Sequence, residues 1–251
     1  MIGLGEAAQL YAGLTWTRLR RGRLLYVCAV LLVLPILGAA GLAIAGHWGR
    51  GLFDELLELY FRFLVPFVPA LLASPVVAEE IDAKTYTFLF ARPAPRSALV
   101  VGKYIAVVVP ATLVTVAAIA ACWLIAMARF PSDMGENLAH LAQAELAAVL
   151  GTLAFASLAS VLGSLFTRHP FMGVIAYLLV VEAGLGSTPI VLNLLAISWH
   201  LRNLADLPLA EVSFFALHIP GWVSGVVVSA LAGLTLLLAS WLVSESEYNS
   251  R

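Results

Sequence analysis

Six long apolar runs dominate this chain and restrict it to folds that a lipid bilayer permits. They lie near residues 24–46, 58–78, 99–128, 141–166, 171–195 and 219–243. A helix needs about 20 mostly apolar residues to cross roughly 30 Å of hydrocarbon. Transmembrane strands would instead alternate polar and apolar residues, and these runs do not. Because 62% of the 251 residues are apolar and 12% are charged, the sequence predicts a single all-α, polytopic transmembrane domain over residues 1–251 with six transmembrane helices.

The basic residues indicate how these spans are oriented. If both termini are cytoplasmic, that side holds Arg18, Arg20, Arg21, Arg23, Lys84, Arg92, Arg96, Lys103, Arg168 and Arg251. The opposite side then holds only Arg50, Arg129 and Arg202, and Arg62 lies inside a span. The positive-inside rule favours this arrangement. We therefore expect a multi-pass protein of the cell (inner) membrane with cytoplasmic N- and C-termini.

Residues 1–23 precede the first span and combine apolar side chains with a terminal cluster of arginines. Tyr11 and Trp16 are typical of a helix that lies at the membrane surface. The arginines suit the anionic cytoplasmic leaflet. We predict an amphipathic interfacial elbow helix, and a disordered basic leader is the alternative.

The segment between the fifth and sixth runs, residues 184–220, has an unusual composition. Glycines and Pro189 interrupt it, and a short apolar stretch lies between them. Non-helical backbone at membrane depth must be shielded by protein. This pattern predicts a broken end of the fifth span followed by a re-entrant or interfacial helix on the outer side.

A charged island at residues 79–97 separates the second and third runs. Glu79, Glu80 and Asp82 suit the first turn of a helix. Apolar residues then recur at helical spacing, and Pro93 and Pro95 end the pattern. We predict a short cytoplasmic helix with exposed carboxylates, and a solvated positive-inside loop is the alternative.

This island resembles the first cytoplasmic loop of the type-2 ABC exporter (ABC-2 type) permeases. The resemblance rests on Glu79-Glu80, Thr85, Leu89, Arg92-Pro93, Arg96 and Gly102-Lys103. Lys84 departs from the family, which commonly has glycine there. The resemblance implies a coupling helix that docks on a separate ATP-binding subunit. The residues that it assigns to this contact are Glu79, Glu80, Asp82, Thr85, Phe88, Leu89, Arg92 and Arg96.

The resemblance also implies what this chain does and what it leaves to partners. Gly102-Lys103 is followed by tyrosine, and the chain lacks the G-x-x-x-x-G-K-[ST] loop that cradles nucleotide phosphates. We expect a permease that is not catalytic by itself and binds no cofactor, with ATP and Mg²⁺ held on the partner ATPase. A second permease copy would complete the exporter, and no nucleic acid is expected to bind.

Three ionisable residues fall inside the apolar runs, where a charge at mid-bilayer costs about 2.5 to 3.5 kcal/mol. Glu182, Arg62 and Glu145 are therefore candidates for the translocation route. Each also has a local interpretation. Arg62 follows Glu58 by four residues and can pair with it, Glu145 can reach the interface, and Glu182 can bond to a neighbouring helix or to Arg62.

Other functional classes fit the sequence less well. The histidines, with His140 and His200 among them, lack the spacing of a helical metal-ligand pair, so no metal site is predicted. An intramembrane protease is disfavoured because Glu79-Glu80 and His200 fall on opposite membrane faces and Ser224 lacks a nucleophile loop. A non-transporting membrane anchor for an ATPase stays open as an alternative.

Overall fold

The computed structural model describes residues 3–75, 96–187, 191–208 and 219–245. The predicted coupling-helix residues from Glu79 to Arg92 lie outside these ranges, as does the side chain of Arg96. Eight helices of eight residues or more form in the described part, and we number them in chain order. They are α1 (Leu4–Arg21), α2 (Arg23–Ile44), α3 (Arg50–Ala73), α4 (Arg96–Met127), α5 (Leu138–Leu165), α6 (Pro170–Gly184), α7 (Ile197–Leu204) and α8 (Gly221–Glu245).

Five of these helices are long and apolar enough to cross a membrane: α2, α3, α4, α5 and α8. The predicted count of six spans is not confirmed, because the fifth predicted span folds as the shorter helix α6. Its eight α-helical residues Pro170–Tyr177 continue into seven π-helical residues, Leu178–Gly184. At 1.5 Å per residue this is about 22 Å, which is less than the hydrocarbon thickness.

Helix α5 occupies the centre of the bundle. Of its most apolar window 67% is buried, against 28% for the corresponding windows of α2 and α8. Gly151 lies near the middle of α5, where a β-carbon would come within 2.7 Å of the Val65 side chain of α3. The Leu201 side chain of α7 occupies the same space. Glycine is needed here because three helices meet at this point.

The contacts define two ends of the bundle. At one end, which we call the α1 end, the beginning of α4 and the ends of α5 and α8 pack together through Val100, Val161, Ala239 and Val243. At the other end, the α7 end, the backbone N–H of Gly49 just before α3 donates to the carbonyl of Ala126 near the end of α4. Helix α7 joins α8 at this second end. The chain therefore passes from the α1 end after α5 to the α7 end before α8.

Helix α1 packs on the start of α4 at the α1 end. Its small residues Ala7 and Ala8, with Tyr11, lie against Ala98 and Leu99. Only Gly22 separates α1 from α2, and its extended backbone (φ −80°, ψ 144°) ends one helix and begins the next. Leu10 and Leu14 of α1 remain exposed. A helix at the predicted position is thus present, and its location at a membrane surface stays a prediction.

Candidate functional site

A cleft of about 490 Å³ lies among α2, α3, α6 and α7 and brings together two of the three predicted intramembrane charges. Arg62 of α3 and Glu182 of α6 both line it, together with Ser198 and Arg202 of α7. The remaining wall is apolar and includes Leu31, Phe63, Phe67, Leu178 and Leu179. Glu145 of α5 is not among the lining residues. Within the described part of the chain it has no hydrogen-bond or ion-pair partner.

Both charged residues lie in π-helical turns. Arg62 lies in the turn Tyr60–Leu64, and Glu182 lies in Leu178–Gly184. Pro66 explains the first of these, since it has no N–H to donate to the carbonyl of Arg62 four residues earlier. Such π turns occur frequently at functional sites because they redirect side chains out of the regular α-helical pattern. Here they accompany two of the three charged residues that line the cleft.

The Glu182 carboxylate joins α6 to the first turn of α7. One oxygen, Oε1, accepts hydrogen bonds from the Tyr177 hydroxyl at 2.8 Å and from the Ile197 backbone N–H at 2.9 Å. The other, Oε2, accepts from the Ser198 backbone N–H at 3.0 Å. These N–H groups belong to the helix N-terminus, where α-helical hydrogen bonds leave donors unpaired and the dipole favours an anion. Of the predicted local interpretations for Glu182, the bond to a neighbouring helix is the one observed.

Glu58, one turn before Arg62, connects α3 to α7. The predicted pair forms, with Arg62 Nη2 lying 3.7 Å from Glu58 Oε1. The other oxygen, Glu58 Oε2, accepts a short hydrogen bond from Arg202 Nε. Arg202 also donates from Nη2 to the Pro208 carbonyl at 3.4 Å. One carboxylate is therefore shared by two guanidinium groups, and the closer partner is Arg202.

Arg202 is the site residue that sequence reasoning missed. Its position in the outer segment suggested an ordinary loop cation, but the side chain is only 10% exposed. Glu58 and Arg202 are 144 residues apart in sequence, so no local pattern connects them. The available signal was that Arg202 is the one residue with a permanent charge in the amphipathic segment Ile197–Leu204.

A second polar group attaches α7 to α8. His200 Nε2 lies 3.0 Å from the Leu194 carbonyl, so it carries the proton and donates it, and Nδ1 accepts from the Ser224 hydroxyl at 3.0 Å. Asn203 Nδ2 donates to Ser224 Oγ and to the Ile219 carbonyl. With one ring nitrogen donating and the other accepting, these contacts use the neutral form of the imidazole.

The pair of Ser224 and His200 has the contact expected of a nucleophile and its base, yet it lacks access to a substrate. Ser224 is 0% exposed and does not line the cleft. A buried hydroxyl that already donates to His200 and accepts from Asn203 has a structural role in holding α7 against α8. The geometry therefore gives this pair no catalytic function.

Other ionisable groups of the described bundle pair with one another. At the α7 end, His140 Nε2 lies 2.7 Å from Asp54 Oδ1, and Arg50 reaches both Asp54 and Asp206. This network joins α3 and α5 to Asp206, which follows α7. In residues 3–75, 96–187, 191–208 and 219–245 no three His, Cys, Asp or Glu side chains group around a common point.

Comparison with known proteins assigns the chain to a family. The profile described as ABC-2 family transporter protein matches residues 16–205, from the end of α1 to just beyond α7. No curated protein matches the chain. The match covers more than half of the sequence and includes the whole cleft. The chain therefore belongs to the ABC-2 transporter family, whose members are membrane components of ABC transporters.

Proposed function

We propose that this chain is the permease subunit of an ATP-binding-cassette exporter. Two copies of the chain would assemble with two separate ATP-binding subunits, whose ATP hydrolysis would drive the substrate across the cell membrane. The family match over residues 16–205 is the observation that carries the proposal. The partner would hold ATP and Mg²⁺, since the chain has no phosphate-binding loop.

The proposed coupling contact uses the acidic island between α3 and α4. Glu79, Glu80 and Asp82 would pair with basic groups of the ATPase, and Phe88 would supply an apolar anchor. Thr85, Leu89, Arg92 and Arg96 complete the proposed surface. Closure of two ATP-bound subunits would displace this segment and, through α3 and α4, shift the bundle between inward and outward openings.

Helix α7 supports an outer segment that re-enters the membrane. Leu201 reaches the middle of α5 at Gly151, and Arg202 pairs with Glu58 inside α3. Together α6 and α7 would then complete a sixth crossing that α6 is too short to make alone. The clustering of the α8 end with the start of α4 supports two termini on one side of the membrane.

Arg62 and Glu182 support transport over simple anchoring. A protein that only recruits an ATPase needs no charged cleft at membrane depth, where ionisable groups are expensive. We infer that these two residues border the translocation route. Glu145 lies away from them on α5 and stays a candidate for the same role.

The first experiment tests the partner. The protein is purified from its native membrane in mild detergent, and co-purifying proteins are identified by mass spectrometry. We expect a stoichiometric ATP-binding subunit, whereas a reproducibly lone protein would contradict the proposal.

A charge-reversal series then tests the coupling contact. Glu80→Arg or Asp82→Arg should lower the recovery of the ATPase by about tenfold or more, because like charges would face each other across the interface. Glu136→Arg is the matched control, since Glu136 is an exposed acid at the α7 end. Unchanged recovery with both island variants would remove the coupling assignment and leave the family assignment intact.

A further inference from the structure

The cleft contains a guanidinium group whose hydrogen-bonding capacity is unused. Arg62 has five N–H donors, and within the described part of the chain its polar contact is the ion pair with Glu58. The separation of 3.7 Å is too long for a good hydrogen bond. The side chain is 47% exposed and faces the cleft. Arg62 therefore presents its donors to whatever fills this space.

Two arginines and two glutamates surround the cleft, so their formal charges balance, but Arg62 has no carboxylate of its own. Arg62 and Arg202 share the single carboxylate of Glu58, and Arg202 makes the closer contact. The other acid, Glu182, directs its two oxygens to the Tyr177 hydroxyl and to two backbone N–H groups at the start of α7. No carboxylate of the lining thus remains for Arg62 alone. A cation at membrane depth without a full partner favours an anionic ligand.

The wall beside Arg62 is apolar and partly open. Phe63 and Phe67 follow it along α3, and Leu178 and Leu179 lie opposite on α6. Phe63 and Leu179 are more than half exposed, although they are large apolar side chains. The volume of about 490 Å³ lies in the range of 300 to 1,000 Å³ that is usual for drug-sized ligands. This space suits one apolar chain better than a two-chain phospholipid.

We propose that the cleft binds an amphiphile with one apolar chain and an oxyanion head, the head on Arg62 and the chain between Phe63, Phe67, Leu178 and Leu179. A carboxylate or phosphate head can accept two parallel hydrogen bonds from one guanidinium. The inference rests on the proposed transport function and names its substrate class. A cationic ligand would be repelled by the exposed guanidinium of Arg62, and a small inorganic anion would leave the apolar wall uncovered.

The test uses photo-crosslinking on the full-length chain in membrane vesicles of phosphatidylcholine. The probes are palmitic acid carrying a diazirine in its chain, the methyl ester of that acid, and the corresponding primary amine. Crosslinked peptides are mapped by mass spectrometry. We expect the acid to label α3 and α6 around the cleft about tenfold more than the amine or the ester, as one charge-assisted bidentate contact implies.

Two variants and a control separate the head site from the chain site. Arg62→Gln should reduce labelling by the acid to the level of the ester, and Ala183→Trp should fill the cleft and reduce labelling by all three probes. Arg50→Gln is the control, because Arg50 lies on the same helix in an ion pair outside the cleft. It should leave labelling unchanged.

Several outcomes would overturn the proposal. Equal labelling by acid and amine, or acid labelling that survives Arg62→Gln, would remove the anionic head site. If excess phosphatidylglycerol displaced the palmitic acid probe, the occupant of the cleft would be a bilayer lipid. If Leu179→Cys formed a disulfide efficiently between two copies, the cleft would be covered by a second permease. The crosslinking assays need no ATPase, so they can be interpreted even if the permease purifies alone. If the ATPase co-purifies but the cleft is not labelled, this inference fails and the proposed function stands.

Discussion

At the scale of single residues, Glu182 has the contacts of a helix cap supplied from another helix. The first turn of α7 has no capping side chain of its own, since Ala196 precedes it. Glu182 supplies the missing acceptors to Ile197 and Ser198 from α6. A carboxylate placed here is stabilised by the same donors that it satisfies. The residue thereby holds α7 in place beside the cleft.

Replacing Glu182 should therefore lower stability as well as affect function. Glu182→Gln keeps the shape but exchanges one acceptor oxygen for an NH₂ group that cannot accept from the backbone. Hydrogen bonds to charged groups contribute about 1.5 to 3 kcal/mol, so we expect a clear decrease in the thermal unfolding midpoint in detergent. Glu145→Gln is the matched control and should leave the midpoint nearly unchanged, because Glu145 lacks such partners in the described chain. Equal decreases for both variants would show that Glu182 does not cap α7.

Some of the site could be predicted from sequence and some could not, for a physical reason. The pair of Glu58 and Arg62 is four residues apart on one helix, and its contact follows from helical geometry. Arg202, Ser198 and the pair of His200 and Ser224 reach their partners only after the helices pack. Their contacts depend on the tertiary placement of α7, which no local periodicity contains.

At the scale of elements, hydropathy located five of the spans because length and apolar content are sufficient for a long helix. The remaining one, the fifth predicted span, differs because its run contains Glu182 and the closely spaced Gly184 and Gly186. The helix changes to π and then to 3₁₀ geometry over these residues. Hydropathy averages over a window, so it does not detect such a break.

The contact of α1 with α4 gives a physical role to Gly102, which was noted in sequence only as part of a motif. A β-carbon there would press on the Ala8 carbonyl oxygen and lie 2.8 Å from Tyr11 Cβ. These are backbone and near-backbone atoms, so they cannot move without displacing α1. Only glycine lets the two helices approach this closely.

Gly102→Ala should consequently destabilise the protein, although alanine normally favours a helix. Overpacking costs about 1 to 3 kcal/mol, which exceeds the gain in helix propensity of about 1 kcal/mol. Gly233→Ala is the control, because Gly233 of α8 has nothing within 4 Å of its β-carbon position and should become slightly more stable. Hydrogen exchange of residues 4–21 measures the local effect. Faster exchange only in the Gly102 variant is the expected result, and parallel behaviour of the two variants would argue against close contact.

At the scale of the whole molecule, an even number of crossings places both termini on one side, whereas five crossings would separate them. Cysteine labelling distinguishes these cases. Cys28 and Cys122 are buried free thiols, so replacing them by alanine gives a thiol-free background. In this background Thr17→Cys, Ser132→Cys and Ser250→Cys report on α1, on the α4–α5 loop and on the C-terminal tail.

We expect an impermeant maleimide to label Ser132→Cys in intact cells, and Thr17→Cys and Ser250→Cys only after permeabilisation. This follows from the basic residues on the proposed cytoplasmic side and from the packing of the α8 end near the start of α4. Labelling of Ser250→Cys in intact cells, with Thr17→Cys protected, would mean that α6 and α7 together do not cross.

The single residue Gly22 ties the end of α1 to the beginning of α2. Because one residue connects them, the last turn of α1 and the first turn of α2 cannot move apart. Helix α1 also packs directly on the backbone of α4 at Gly102. Helix α1 therefore connects the start of the first span with the start of α4, where the chain leaves the acidic island.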